Sequence, residues 1–166
     1  MSYKSETIET CVTRLNLQYF LPAIQREFVW TPGQIVQLFD SIMRGYPISS
    51  FLFWELKKEN REKWQAYTFI NEATQGGTHN QLANTNGVNQ MTLVLDGQQR
   101  LTSLLVGLKG TYIVKRKYKQ AWRTQKLYFD ILKDPLAQDT EGDAEYGVHY
   151  GFQFKDISPK QSAENH

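Results

Sequence analysis

The run Met91-Thr92-Leu93-Val94-Leu95 leads directly into Asp96-Gly97, and Leu101, Leu104, Leu105 and Leu108 follow. No other stretch constrains the chain as much. Near-continuous apolar character over five residues suits a strand buried on both faces. Leucines at i, i+3, i+4 and i+7 instead lay one apolar stripe along a helix, which Gly110 then stops. The turn at Asp96-Gly97 therefore leaves a buried strand and opens an amphipathic helix.

Other elements gather around this unit. Leu15 to Trp30 contains Pro22 and reads as an extended segment or short strand. Thr31-Pro32-Gly33-Gln34 presents an N-cap threonine, proline at the first helical position and glutamine three residues after the cap. Ile35, Leu38, Phe39 and Ile42 continue it as an amphipathic helix that Gly45 and Pro47 end. Ser50 to Leu56 is a strand-like aromatic run, and Trp64 to Ile70 is expected to pair with it. Asn71 to Gln90 is polar throughout and reads as a mobile insertion or a functional flap. Two further strands are expected over Thr111 to Lys117 and Lys126 to Leu132, around a basic turn. The division expected is an extension over 1–14, a domain over 15–133 with its insertion at 71–90, and an irregular segment over 134–166. The ragged end reads as the front of a longer protein.

At 166 residues, with 40% hydrophobic content, the chain can bury a core as one domain. Apolar runs are too short to span a bilayer, and no apolar signal core follows the start. Cys11 is the only cysteine, and the three histidines, His79, His149 and His166, show no metal-ligand spacing. A cytoplasmic protein is expected.

Net charge is only +2, but it is unevenly spread. No acidic residue falls between Gly97 and Phe129, while Arg100, Lys109, Lys115, Arg116, Lys117, Lys119, Arg123 and Lys126 all do. Such a face attracts anions.

Asp96-Gly97-Gln98-Gln99-Arg100 has the parts of a phosphate site. A helix N-terminus offers unpaired N–H groups and partial positive charge. Gly97 allows close backbone approach, and Arg100 can grip two phosphate oxygens. Gln98 and Gln99 can donate to phosphates or hold a water, Asp96 can hold a divalent metal or orient water, and Thr102 and Ser103 add hydroxyls. The competing reading needs no ligand: Asp96 as N-cap and Gln99 three residues later make a capping box. A second pairing, Gln25-Arg26, lies among Pro22, Phe28 and Trp30. Arg26 either points into a cleft or pairs structurally with Glu27 or Asp40.

Three motifs now carry a resemblance: Pro22-Ala23-Ile24-Gln25-Arg26-Glu27-Phe28-Val29-Trp30, Leu38 to Ile48 (LFDSIMRGYPI), and Leu95-Asp96-Gly97-Gln98-Gln99-Arg100-Leu101-Thr102. In this order they resemble the N-terminal domain family of GmrSD-type restriction enzymes. The resemblance implies an α+β fold like that of ParB and sulfiredoxin, a small mixed sheet with flanking helices. It implies a nucleotide-binding, NTP-hydrolysing domain of a bacterial defence system against modified or foreign DNA, coupled to an HNH-type nuclease domain or subunit. Asp96, Gln98, Gln99 and Arg100 would be catalytic, with Mg²⁺ at Asp96. Gln25, Arg26, Gly97, Thr102 and Ser103 would bind the nucleotide. There is no Walker-type glycine-rich loop, so the geometry differs from a P-loop.

Two alternatives stand beside it. One is a DNA-binding or modification-sensing module using Lys115, Arg116, Lys117, Lys119 and Arg123, with Tyr118 or Trp122 stacking on a base; the bland counterpart is a solvated hairpin. The other is an endonuclease acting at Asp96, although a two-metal mechanism needs more carboxylates than this one.

Overall fold

Two four-stranded mixed sheets and three helices build the α+β fold of the computed structural model, which describes residues 3–24, 26–115, 121–134 and 148–157. The first helix, α1 (Ile8–Arg14), is capped by Thr7, whose hydroxyl accepts from the Thr10 amide. It buries Cys11 and Val12. β1 (Tyr19–Pro22) follows, then α2 (Pro32–Met43). Thr31 and Gln34 form the expected capping box on α2. Its far end closes through Gly45, with φ of 70°: the Gly45 amide donates to the Ile42 carbonyl and the Tyr46 amide to that of Ser41.

β2 (Leu52–Leu56), a 3₁₀ turn at Lys58–Lys63, β3 (Ala66–Tyr67), β4 (Glu72–Thr74) and β5 (Met91–Asp96) come next. α3 (Gln98–Lys109), β6 (Thr111–Lys115), β7 (Trp122–Asp130) and β8 (Gly151–Asp156) complete the described chain. The first sheet runs β2-β5-β1-β3 and the second β4-β6-β7-β8. β5 is central, antiparallel to β2 and parallel to β1, with Leu93 and Val94 fully buried. Val94 packs with α1, α2 and α3 in the main core, and Leu93 packs on the opposite face with Phe20, Leu56, Ala66 and Met91.

Two expectations change, and a third tract gains detail. Trp64 to Ile70 does not pair with Ser50 to Leu56: β3 joins β1, and two strands separate it from β2. The polar tract 71–90 contributes β4 and is tied along its length. The Thr68 amide donates to the Gln81 carbonyl at 2.9 Å, the Ala83 amide to the Ala66 carbonyl at 2.8 Å, and Arg61 to the Val88 carbonyl at 2.7 Å. Segment 134–166 is not uniformly irregular, because β8 packs Phe152 and Phe154 against the main core. Buried Asp40 fastens this segment, accepting the His149 and Tyr150 amides at 2.8 Å each. Among the described residues no helix is long and apolar enough to cross a membrane.

Candidate functional site

Because β1 and β5 are parallel neighbours (Tyr19 beside Thr92, Phe20 beside Leu93), the loops leaving their carboxyl ends start side by side. Crevices at the carboxyl ends of parallel strands are where open α/β sheets commonly hold ligands. One loop is 23–30, with the Gln25-Arg26 pairing; the other is the turn at Gly97. Gln25 lies outside the described residues. Arg26 is exposed, and the pairing with Glu27 or Asp40 considered for it does not form: Glu27 meets His79 at 2.9 Å, and Asp40 lies 3.6 Å from Arg44.

The capping box considered for Asp96 and Gln99 is absent. Asp96 remains in β5, and the N-cap of α3 is Gly97, left-handed at φ 85°, with no side chain capping the helix. Gln99 instead reaches across to the other loop. Its Nε2 donates to the Glu27 carbonyl at 2.8 Å and its Oε1 accepts the Val29 amide at 3.1 Å. The residue that could close the helix end thus pins the Arg26 loop beside it. Gly97 is also required sterically, since a Cβ there would lie 2.3 Å from Phe51 Cδ1. The first N–H groups of α3, before the Leu101-to-Gly97 bond begins the helical ladder, therefore end the helix with its positive dipole uncapped by a side chain.

Arg100 is held rather than free. One guanidinium nitrogen donates to the Ile48 carbonyl, and another donates to Asp96 Oδ2 at 3.3 Å. The carbon between them sits 4.9 Å from the centroid of the Phe51 ring. Its side chain is 17% exposed and that of Asp96 69%, so the carboxylate faces solvent while the cation lines the wall. Gln98 turns back along β5, its Nε2 donating to the Val94 carbonyl at 2.9 Å. Thr102 and Ser103 are placed differently from what phosphate binding needs. Both are buried, and the Thr102 hydroxyl donates to the Gln98 carbonyl. Helical geometry turns these positions toward the core when Leu101, Leu104 and Leu105 also face it.

Beside Arg100 opens a groove of about 470 Å³ between α2 and the segment Tyr46–Ser49. Trp30, Gln37, Ser41, Tyr46 and Ser49 line it with Arg100. Ser49 adopts φ 71°, a left-handed conformation that a non-glycine residue seldom holds without reason. Sequence reasoning missed this wall and Phe51. Tyr46 and Ile48 sit within a recognised motif, but nothing in the sequence says that α2 turns its polar row toward Arg100.

The remaining chemistry is quickly bounded. Among the described residues no group of three or more His, Cys, Asp or Glu side chains could hold a metal, and Asp96 belongs to no such group. The Cys11 thiol is pushed up to about 11 by burial and by its hydrogen bond to Glu6, which leaves it a poor nucleophile. On the basic hairpin, Arg116, Lys117 and Lys119 lie outside the described residues. Lys115 is exposed, whereas Arg123 pairs with Asp156 at 2.7 Å.

Comparison with known proteins fits this picture. The family model of the GmrSD restriction endonuclease N-terminal domain matches residues 8–166. An uncharacterised protein of Methanocaldococcus jannaschii is 36% identical over 88 residues, 53% of this chain and 14% of that protein's length. The match thus spans a small part of that relative.

Proposed function

This chain belongs to the family of GmrSD restriction endonuclease N-terminal domains, and from that premise we propose that it binds and hydrolyses a nucleoside triphosphate at the turn Asp96–Arg100. One observation carries the proposal: α3 begins without a side-chain cap, while Gln99 draws the Arg26 loop alongside it. An anion at a helix N-terminus is stabilised by donors that point at it and by the dipole behind them.

The reaction in this reading is phosphoanhydride hydrolysis. Water attacks the terminal phosphorus, giving up a proton to solvent or phosphate, the bond to the bridging oxygen breaks, and charge builds on that oxygen of the departing nucleoside diphosphate. Arg100, already fixed by Ile48 and Phe51, needs little reorganisation to face that charge. Arg26, exposed and adjacent to the pinned Glu27–Val29 segment, closes from the other loop, with Gln25 preceding it. Asp96 orients the water or holds Mg²⁺. A single exposed carboxylate with one oxygen toward Arg100 suits Mg²⁺, which is usually bound through one or two carboxylates plus substrate phosphates. The ion would neutralise phosphate charge when bound. Hydrolysis here would regulate the nuclease of the longer restriction enzyme, of HNH type in this proposal, acting on DNA in bacterial defence.

The test is turnover of NTP with Mg²⁺ by wild type, Asp96→Ala and Arg100→Ala. Each substitution is expected to lower turnover by about a hundredfold or more. Equal rates in all three proteins would sink the assignment.

A further inference from the structure

Arg100, which faces phosphate in the proposed site, also lines the groove beside it. We propose that this groove is the nucleoside subsite, holding the base and ribose of the triphosphate whose phosphates meet α3; the inference rests on the proposed phosphate site.

Three observations support it. First, the two are continuous. Arg100 lines the groove and stands in the first turn of α3, and Trp30 follows Val29, whose amide is clipped to Gln99. A ligand anchored at the helix N-terminus by its phosphates therefore has its remainder directed along α2. Second, the lining has the chemistry of a base site. Trp30 and Tyr46 offer aromatic surface, on which a base of any identity can stack. Gln34 and Gln37 lie one turn apart on α2, and Ser41 lies one turn further on. The Gln34 oxygen is engaged by the Thr31 amide and hydroxyl, which leaves its NH₂ group, while the Gln37 amide is exposed with no side-chain bond among the described residues. An amide side chain carries both a donor and an acceptor, the pattern that pairs with a base edge. Third, the size fits. About 470 Å³ falls within the range of roughly 300–1,000 Å³ usual for small-ligand sites.

This groove wall is also independently fixed. Arg44 stacks on the Tyr46 ring at 4.4 Å and reaches toward Asp40 at 3.6 Å, and Tyr112 donates to the Trp30 carbonyl at 3.1 Å. The Tyr46 ring and the Trp30 backbone therefore hold their places without ligand. Because a glutamine amide matches several base edges, the subsite would engage the base without strong selection among the four nucleotides.

The experiment compares binding of non-hydrolysable triphosphate analogues of the four nucleosides with binding of inorganic tripolyphosphate, both with Mg²⁺. Wild type, Gln37→Ala and Tyr46→Ala are measured; both side chains are exposed, and circular dichroism checks that the variants fold. Wild type should hold the nucleotides at least tenfold more tightly than tripolyphosphate. Both variants should lose that margin and retain tripolyphosphate affinity within twofold. Nucleotide affinity unchanged in both variants overturns the subsite and leaves the phosphate site standing. Equal loss of both ligands also overturns it, because the residues would then act through the phosphate site. Absence of binding by either ligand to wild type removes the phosphate site, and the subsite with it.

Discussion

Two regions of this molecule compete for an anion, and they hold their positive charge in different ways. The hairpin of β6 and β7 carries more cationic residues, yet where it is described Arg123 is neutralised by a neighbouring carboxylate and Lys115 is exposed. Arg123 pairs with Asp156, Gln125 Nε2 donates to the same carboxylate at 3.0 Å, and the Lys115 amide donates to Gln75. The turn after β5 has one arginine but arranges it. Arg100 is fixed on three sides, and the α3 N-terminus beside it has no side-chain cap. Counting lysines and arginines thus favours the hairpin, while counting placed donors favours the turn. Specific anion binding depends on the second count, since exposed, flexible charges are screened by salt and must lose conformational freedom to bind.

The strongest way to break this contrast is at Gly97. Alanine there must hold a left-handed φ and push its Cβ into Phe51, the ring on which Arg100 rests. Gly97→Ala is expected to destabilise the fold by about 2–4 kcal/mol in denaturant titration and to abolish NTP turnover. Turnover close to wild type would show that the turn does not need its geometry.

A smaller effect is expected at Gln99. Gln99→Ala removes both hydrogen bonds to the Arg26 loop, at Glu27 and Val29, and costs about 1 kcal/mol because they are partly solvated. Nucleotide affinity should fall about tenfold as that loop swings free, which isothermal titration can measure. Unchanged affinity would detach the first loop from the site. The smallest effect belongs to the hairpin: Lys115→Glu should shift nucleotide affinity by no more than about twofold at physiological salt. A tenfold loss there would move the anion site to the hairpin.

Much of this contrast was legible before the fold was known. The strand, glycine turn and helix at residues 91–109 follow from apolar spacing, and the α2 cap and stop follow from Thr31, Pro32, Gln34 and Gly45. Some of what was missed also had a signal. Ile8, Cys11, Val12 and Leu15 repeat at helical spacing after Thr7, the pattern of α1, and Phe152 and Phe154 alternate as β8 requires. Other features had none. The partner of β3 is set by tertiary packing rather than by proximity in sequence. The structure of 71–90 comes from backbone bonds to the Ala66 and Thr68 region, which a polar composition conceals. At the site itself, Gln99 has the right spacing for a capping box on Asp96, but the helix starts one residue later, at a Gly97 cap, and Gln99 reaches to 27–29 instead. Likewise, nothing in the apolar run at 50–56 distinguishes Phe51 as the platform for both Gly97 and Arg100.

The most direct test of the central claim is to follow backbone amide resonances by NMR while Mg²⁺ and a non-hydrolysable triphosphate are added. The α3 N-terminus is expected to respond first, with the largest shifts at the Gln98, Gln99 and Arg100 amides and accompanying changes at Arg26 to Trp30. Shifts confined to β6 and β7, with those three amides unmoved, would contradict the account.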